Sequence, residues 1–157
     1  MRNQKGFSLI ELLLVVAVIL IISAIAVPNF MRSKMRANEA NAVAAIRVIH
    51  TSAVTYATTY PDVGFPAQLT NMGGANPCTA TSTSSCLIDN VLALGVKDGY
   101  TYVWTGDGLT PSVGFAVTAT PQIVGSSGQR MYCADQVGTI YYDPTGTGCT
   151  NASQPIE

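Results

Sequence analysis

Between Leu9 and Val27 the only polar side chains are Glu11 and Ser23, so the apolar residues there follow no amphipathic period. Counted from Phe7, this segment is 21 residues long. As a helix it would reach about 31 Å, enough to cross a hydrocarbon core of about 30 Å. Beyond Pro28 the pattern changes. Val43, Ile46, Ile49/His50, Ala53, Tyr56/Ala57 and Tyr60 recur in steps of three and four among Ala, Thr and Asn. That spacing predicts an amphipathic helix with one buried stripe. No Gly or Pro interrupts 37–60, and Tyr60-Pro61 predicts the end near Thr59. Pro28 removes one backbone hydrogen bond. With no glycine between Gly6 and Gly64, a straight and a mildly kinked helix both fit.

Residues 61–99 are punctuated by Pro61, Gly64, Pro66, Gly73-Gly74, Pro77 and a Ser/Thr cluster, which predicts a connecting region. Within it, Leu87 to Leu94 reads as a short helix stopped by Gly95. Tyr100–Thr105, Val113–Ala119, Arg130–Ala134 and Thr139–Asp143 read as short strands. Gly106-Asp107-Gly108 and Gly125-Ser126-Ser127-Gly128 would connect them. The pattern predicts an α+β fold, a long N-terminal helix packed on a roughly four-stranded antiparallel sheet. It divides the chain into a leader (1–6), a membrane-spanning helix (7–27), its amphipathic continuation (28–60) and a globular head (61–157).

Composition narrows the function. Only 11% of the 157 residues are charged, and the net charge is −1. Without Arg2 and Lys5 the 8 basic side chains become 6 against 9 acidic, net −3. Beyond Arg47 only Lys97 and Arg130 are basic, which is no electrostatic footprint for a nucleic-acid binder. Arg2 and Lys5 precede the apolar segment while Arg32, Lys34 and Arg36 follow it, so loop charge alone does not orient the span. Four cysteines in a loop-rich domain point to disulfides and an oxidising compartment. Three pairings are open; the sequential one, Cys78–Cys86 with Cys133–Cys149, is the expectation.

The junction before the span is the most specific signal. Gly6-Phe7-Ser8-Leu9-Ile10-Glu11-Leu12-Leu13 resembles the prepilin motif of type IV pilins and of type II secretion pseudopilins. Pro28 falls where many such proteins carry a proline, and the Cys133/Cys149 pair resembles their C-terminal disulfide loop. The resemblance covers about a third of the chain. It implies cleavage between Gly6 and Phe7 by a membrane prepilin peptidase, N-methylation of Phe7, and assembly into a helical homo-oligomeric filament by an inner-membrane machine. It further implies the pilin fold, and that Glu11 attracts the Phe7 amino group of a neighbouring subunit, with Pro28 also serving assembly. In apolar surroundings a carboxylate is kept charged by such an ammonium. A cleaved signal peptide would have a shorter apolar region and no Glu11. A plain membrane anchor explains the length but neither Glu11 nor the Gly6-Phe7 junction.

No nucleophile elbow, phosphate-binding glycine loop, HExxH or CxxCH is present, so neither an enzyme nor a cofactor is expected. Asp107, Asp135 and Asp143 lack EF-hand spacing and read as turn formers rather than metal ligands. His50 reads as a half-buried residue beside the sheet. Asn151-Ala152-Ser153 fits a glycosylation sequon, and Ser82 and Thr83 lie in a run suited to O-linked sugar. The expected function is therefore a major-type structural subunit of a surface filament, supporting adhesion, motility or DNA uptake. Before assembly it would sit in the bacterial inner membrane as a single-pass protein. A major pseudopilin forming a periplasmic piston is the alternative.

Overall fold

The computed structural model of the chain describes residues 6–156, so 1–5 of the expected leader lie outside the described residues. The chain divides into two compact units, Met1–Lys34 and Met35–Glu157.

Helix α1 runs from Leu9 to Thr59. Its backbone stays helical across Pro28, so the missing N–H does not break it. One residue on, the Asn29 amide donates to the Ile25 carbonyl at 3.2 Å. Near the other end Thr51, Thr55 and Thr59 each donate their hydroxyl to the carbonyl four residues back. These polar side chains thus satisfy themselves along the helix. Pro61 then stops the helix at the expected place.

In the second unit, Ala42, Ala45, Ile46, Ile49, Ser52, Ala53 and Tyr56 form the buried stripe of α1. The spacing of three and four residues puts them on one face. Opposite lie β1 (Val96–Lys97), β2 (Tyr100–Gly106), β3 (Phe115–Pro121), β4 (Met131–Asp135), β5 (Ile140–Asp143) and β6 (Gln154–Pro155). They form one sheet in sequential order, every neighbour antiparallel. Burial alternates along β2 and β3, and Tyr100, Tyr102, Phe115, Val117, Ala119 and Tyr132 face the helix stripe in one core. Burying a side chain such as Ile46 or Ile49 contributes about 1.5–3 kcal/mol. Trp104 stacks on Phe115 with ring centroids 4.2 Å apart, and His50 lies half-buried against the same ring at 5.9 Å.

The architecture is the expected α+β arrangement, with six strands rather than four. The two additional ones are two-residue edges, β1 pairing with Thr101 and Tyr100, and β6 pairing with Tyr141 and Tyr142. The expected helix over 87–94 contracts to α2 (Asn90–Ala93). The reason is local: the N–H groups of Leu87 and Ile88 donate to the Met72 carbonyl at 2.8 and 3.0 Å. Helix formation therefore starts only after Asp89, whose carboxylate caps Leu92 N–H. Met72 ends a short 3-10 helix, Leu69–Met72, inside what reads from sequence as an irregular connection.

Candidate functional site

Ser8 immediately precedes α1, and its N–H donates to Glu11 Oε2 at 3.0 Å. This is the backward-reaching half of a capping box, in which the third helical residue satisfies an otherwise unpaired donor. The Ser8-x-x-Glu11 spacing is the sequence signal for this cap, a local role for Glu11 beside the expected one toward another subunit. Glu11 is also an acid in the first helical turn, where the helix dipole favours negative charge.

From Phe7 to Lys34 every residue is exposed. Leu9 is 81% accessible and Ile10 72%. The most apolar stretch of the helix has a mean hydropathy of 3.1, with no residue of it buried. Fourteen Leu, Ile and Val side chains between Leu9 and Val27 are thus uncovered. Covering them would contribute on the order of tens of kcal/mol. A surface of that kind requires lipid or other protein around it. Gly6 and Phe7 are exposed at its start, and Pro28 lies near its end.

In the second unit, the structure joins Cys78 to Cys86 and Cys133 to Cys149, with Cα separations of 6.1 and 5.8 Å. The first bridge closes the Ser/Thr loop, where Gly74 packs so closely on Cys78 Sγ that a Cβ there would collide with it. The second spans the β4–β5 hairpin. Asn151 and Thr83 are exposed, whereas Ser82 is half-buried and its carbonyl receives the Tyr56 hydroxyl.

Asp107 accepts four hydrogen bonds, from Leu109, Val113 and Gly114 N–H and from the Ser112 hydroxyl, at 2.8–3.1 Å. The Leu109 N–H, with the other donors, holds its carboxyl down at about 2. Asp143 is held at about 2 in the same way, chiefly by the Thr145 hydroxyl and then by Thr147 N–H. Asp135 caps Val137 N–H at 3.0 Å. These aspartates shape turns. Among the described residues no group of three His, Cys, Asp or Glu is placed to hold a metal ion. His50 Nε2 lies 3.2 Å from the Gln136 carbonyl, a packing role.

Residues 1–27 match the family model of the prokaryotic N-terminal methylation motif. A fimbrial protein of Pseudomonas aeruginosa is 33% identical over 113 residues, 63% of this chain and 73% of the relative. A type IV major pilin protein of Myxococcus xanthus is 29% identical over 101 residues, 60% of this chain and 45% of the relative. The chain belongs to the type IV pilin family. This pilin is also similar to a type IV wide pilus major component of Thermus thermophilus, at 54% identity over 39 residues. That match covers 25% of this chain and 30% of the relative. No solved structure gives a match to this pilin. It thus joins the family's N-terminal motif to an exposed apolar helix and a disulfide-closed head.

Proposed function

We propose that this pilin is the major-type subunit of an extracellular type IV pilus. It is held in the inner membrane by residues 7–27, cleaved between Gly6 and Phe7 by a prepilin peptidase, methylated at Phe7 and polymerised by the pilus machine. The observation that carries this reading is the wholly uncovered apolar helix, which contains one carboxylate, Glu11. In the membrane, lipid covers Leu9–Val27; in the filament, the same surface is covered by the helices of other copies. Glu11 then exchanges its local partner, Ser8 N–H, for the amino group of Phe7 on a neighbour, an ion pair that low dielectric strengthens. Pro28 leaves one carbonyl without its helical donor and gives the packed helices a place to adjust. Asn151 and Thr83, both exposed, are the residues offered for glycosylation.

The Cys133–Cys149 bridge favours a surface pilus over a secretion piston, since it forms the type of C-terminal loop that major pseudopilins usually lack. Electron microscopy of surface-sheared material, with antibody labelling of this chain, tests the reading. Labelled surface fibres support it. Chain confined to the envelope, with protein secretion lost on deletion, would replace it with the piston. Deletion phenotypes in attachment, surface motility and DNA uptake then assign the use of the fibre.

A further inference from the structure

The second unit carries two grooves, one on each flank of the α1 stripe. At about 100° per residue, Arg36, Glu39, Ala40 and Val43 lie on one side of the buried residues Ala42, Ile46 and Ile49. Asn41, Ala44 and Val48 lie on the other. Sheet order gives the same separation. The first groove, about 650 Å³, is completed by Arg130, Tyr132 and Tyr142 and by the β6 edge. The second, about 250 Å³, is completed by Asp89, Lys97 and Asp98 at the β1 edge.

The charges are opposite. On the first flank, among the described residues, Arg36 and Arg130 face one carboxylate, Glu39, whose Oε1 already accepts the N–H groups of Gln129 and Arg130. The Arg130 guanidinium lies 5.1 Å from the centre of the Tyr142 ring, within cation–π range. Burial, with Glu39 nearby, pushes the Tyr132 hydroxyl up to about 12, so it stays a donor. Arg47 stands eleven residues after Arg36 on the same helical face and is exposed. On the second flank Lys97 is held by Asp89 at 2.8 Å. Among the described residues that is the only ion pair, so Asp98, exposed at the turn after β1, and both groove arginines are unmatched.

We infer that the Arg36/Arg130 groove of one subunit receives the Asp98 flank of the next copy, making a lateral head-to-head contact between unlike surfaces. The inference rests on the filament reading above. Because the two patches differ, the contact is heterologous, and repeating it builds a ring or an open helical array rather than a closed pair. Two-residue edges at β1 and β6 offer little backbone for strand addition, so side-chain charge sets the register.

The test uses the full chain expressed in its cells, reading sheared filament and the unassembled membrane pool. Arg36→Glu is expected to cut filament yield about tenfold with the membrane pool intact, as like charges meet across the contact. Asp98→Asn, a residue that tolerates the left-handed backbone at position 98 (φ 51°), should also lower yield. Pairing Arg36→Glu with Asp98→Asn should give more filament than Arg36→Glu alone, because the like charge across the contact is then gone. Independently, filaments of Arg36→Lys treated with a carbodiimide should yield a zero-length crosslink from position 36 of one copy to Asp98 of another. Normal yield from both single variants, or crosslinks that never join these positions, would overturn the inference while leaving the pilus reading standing. Absence of filaments from the unaltered chain would overturn both.

Discussion

Glu39 on α1 holds Gln129, 90 positions later, by accepting its backbone N–H at 2.9 Å. The same oxygen accepts Arg130 N–H at 3.2 Å, and the neighbouring Asn38 amide donates to the Ser127 carbonyl at 2.8 Å. Two consecutive helix residues thus fix the β3–β4 loop, which in turn sets where Arg130 stands. Glu39→Ala should destabilise the head by about 1–2 kcal/mol, a value for lost charge-assisted hydrogen bonds at a partly exposed site. Denaturant unfolding of the detergent-solubilised chain measures it, and a change within the scatter of surface substitutions would show that the loop holds itself.

Asp107 and Asp143 link stability to acid. Each is held at about 2, below the ordinary 3.8, first by the Leu109 N–H and the Thr145 hydroxyl respectively. A depressed folded-state carboxyl means that the unfolded chain binds more protons across this interval. The stabilisation is therefore present above pH about 4 and lost as pH falls toward about 2. Unfolding midpoints across that window should drop for the unaltered chain and much less for Asp107→Asn/Asp143→Asn. Parallel curves would contradict the assignment.

The two disulfides enclose loops of different size, with separations of 8 and 16 residues. Chain entropy gives about 3 kcal/mol for the longer and slightly less for the shorter. Cys133→Ser/Cys149→Ser should therefore cost at least as much as Cys78→Ser/Cys86→Ser in thermal unfolding. The reverse order would mean that the connection packed on Met72 depends on its bridge more than the β4–β5 hairpin does.

Glu11 caps Ser8 N–H and, in the proposed filament, pairs with the Phe7 amino group of a neighbour; one substitution separates the two. Glu11→Gln keeps an amide oxygen able to accept Ser8 N–H but carries no charge. Membrane insertion should be unchanged, and filament yield should fall with Gln about as far as with Ala. Normal assembly from Glu11→Gln would make the cap, rather than the ion pair, the function of this residue.

The sequence disclosed what depends on near neighbours. Continuous apolar residues, the three-and-four stripe and Tyr60-Pro61 set the extent of α1 because each acts within a few positions along the chain. β-Branched and aromatic residues set between Gly, Pro and Asp turns marked the four longer strands. Val96–Lys97 and Gln154–Pro155 are too short to alternate and become strands only because Tyr100–Thr101 and Tyr141–Tyr142 present a ladder. The Leu87–Leu94 pattern favoured helix, and the remote Met72 carbonyl overrode its first residues. The Glu39 clasp and the charged flanks were hidden for the same reason: their members are brought together only by the packing of α1 on the sheet. Ser8-x-x-Glu11 was legible and local.

N-terminal mass spectrometry of purified filaments decides whether Phe7–Val27 begins the mature subunit and builds the filament. Subunits should start at N-methylated Phe7, with residues 1–6 absent. Filaments whose subunits retain Met1, or sheared material without this chain, would contradict it.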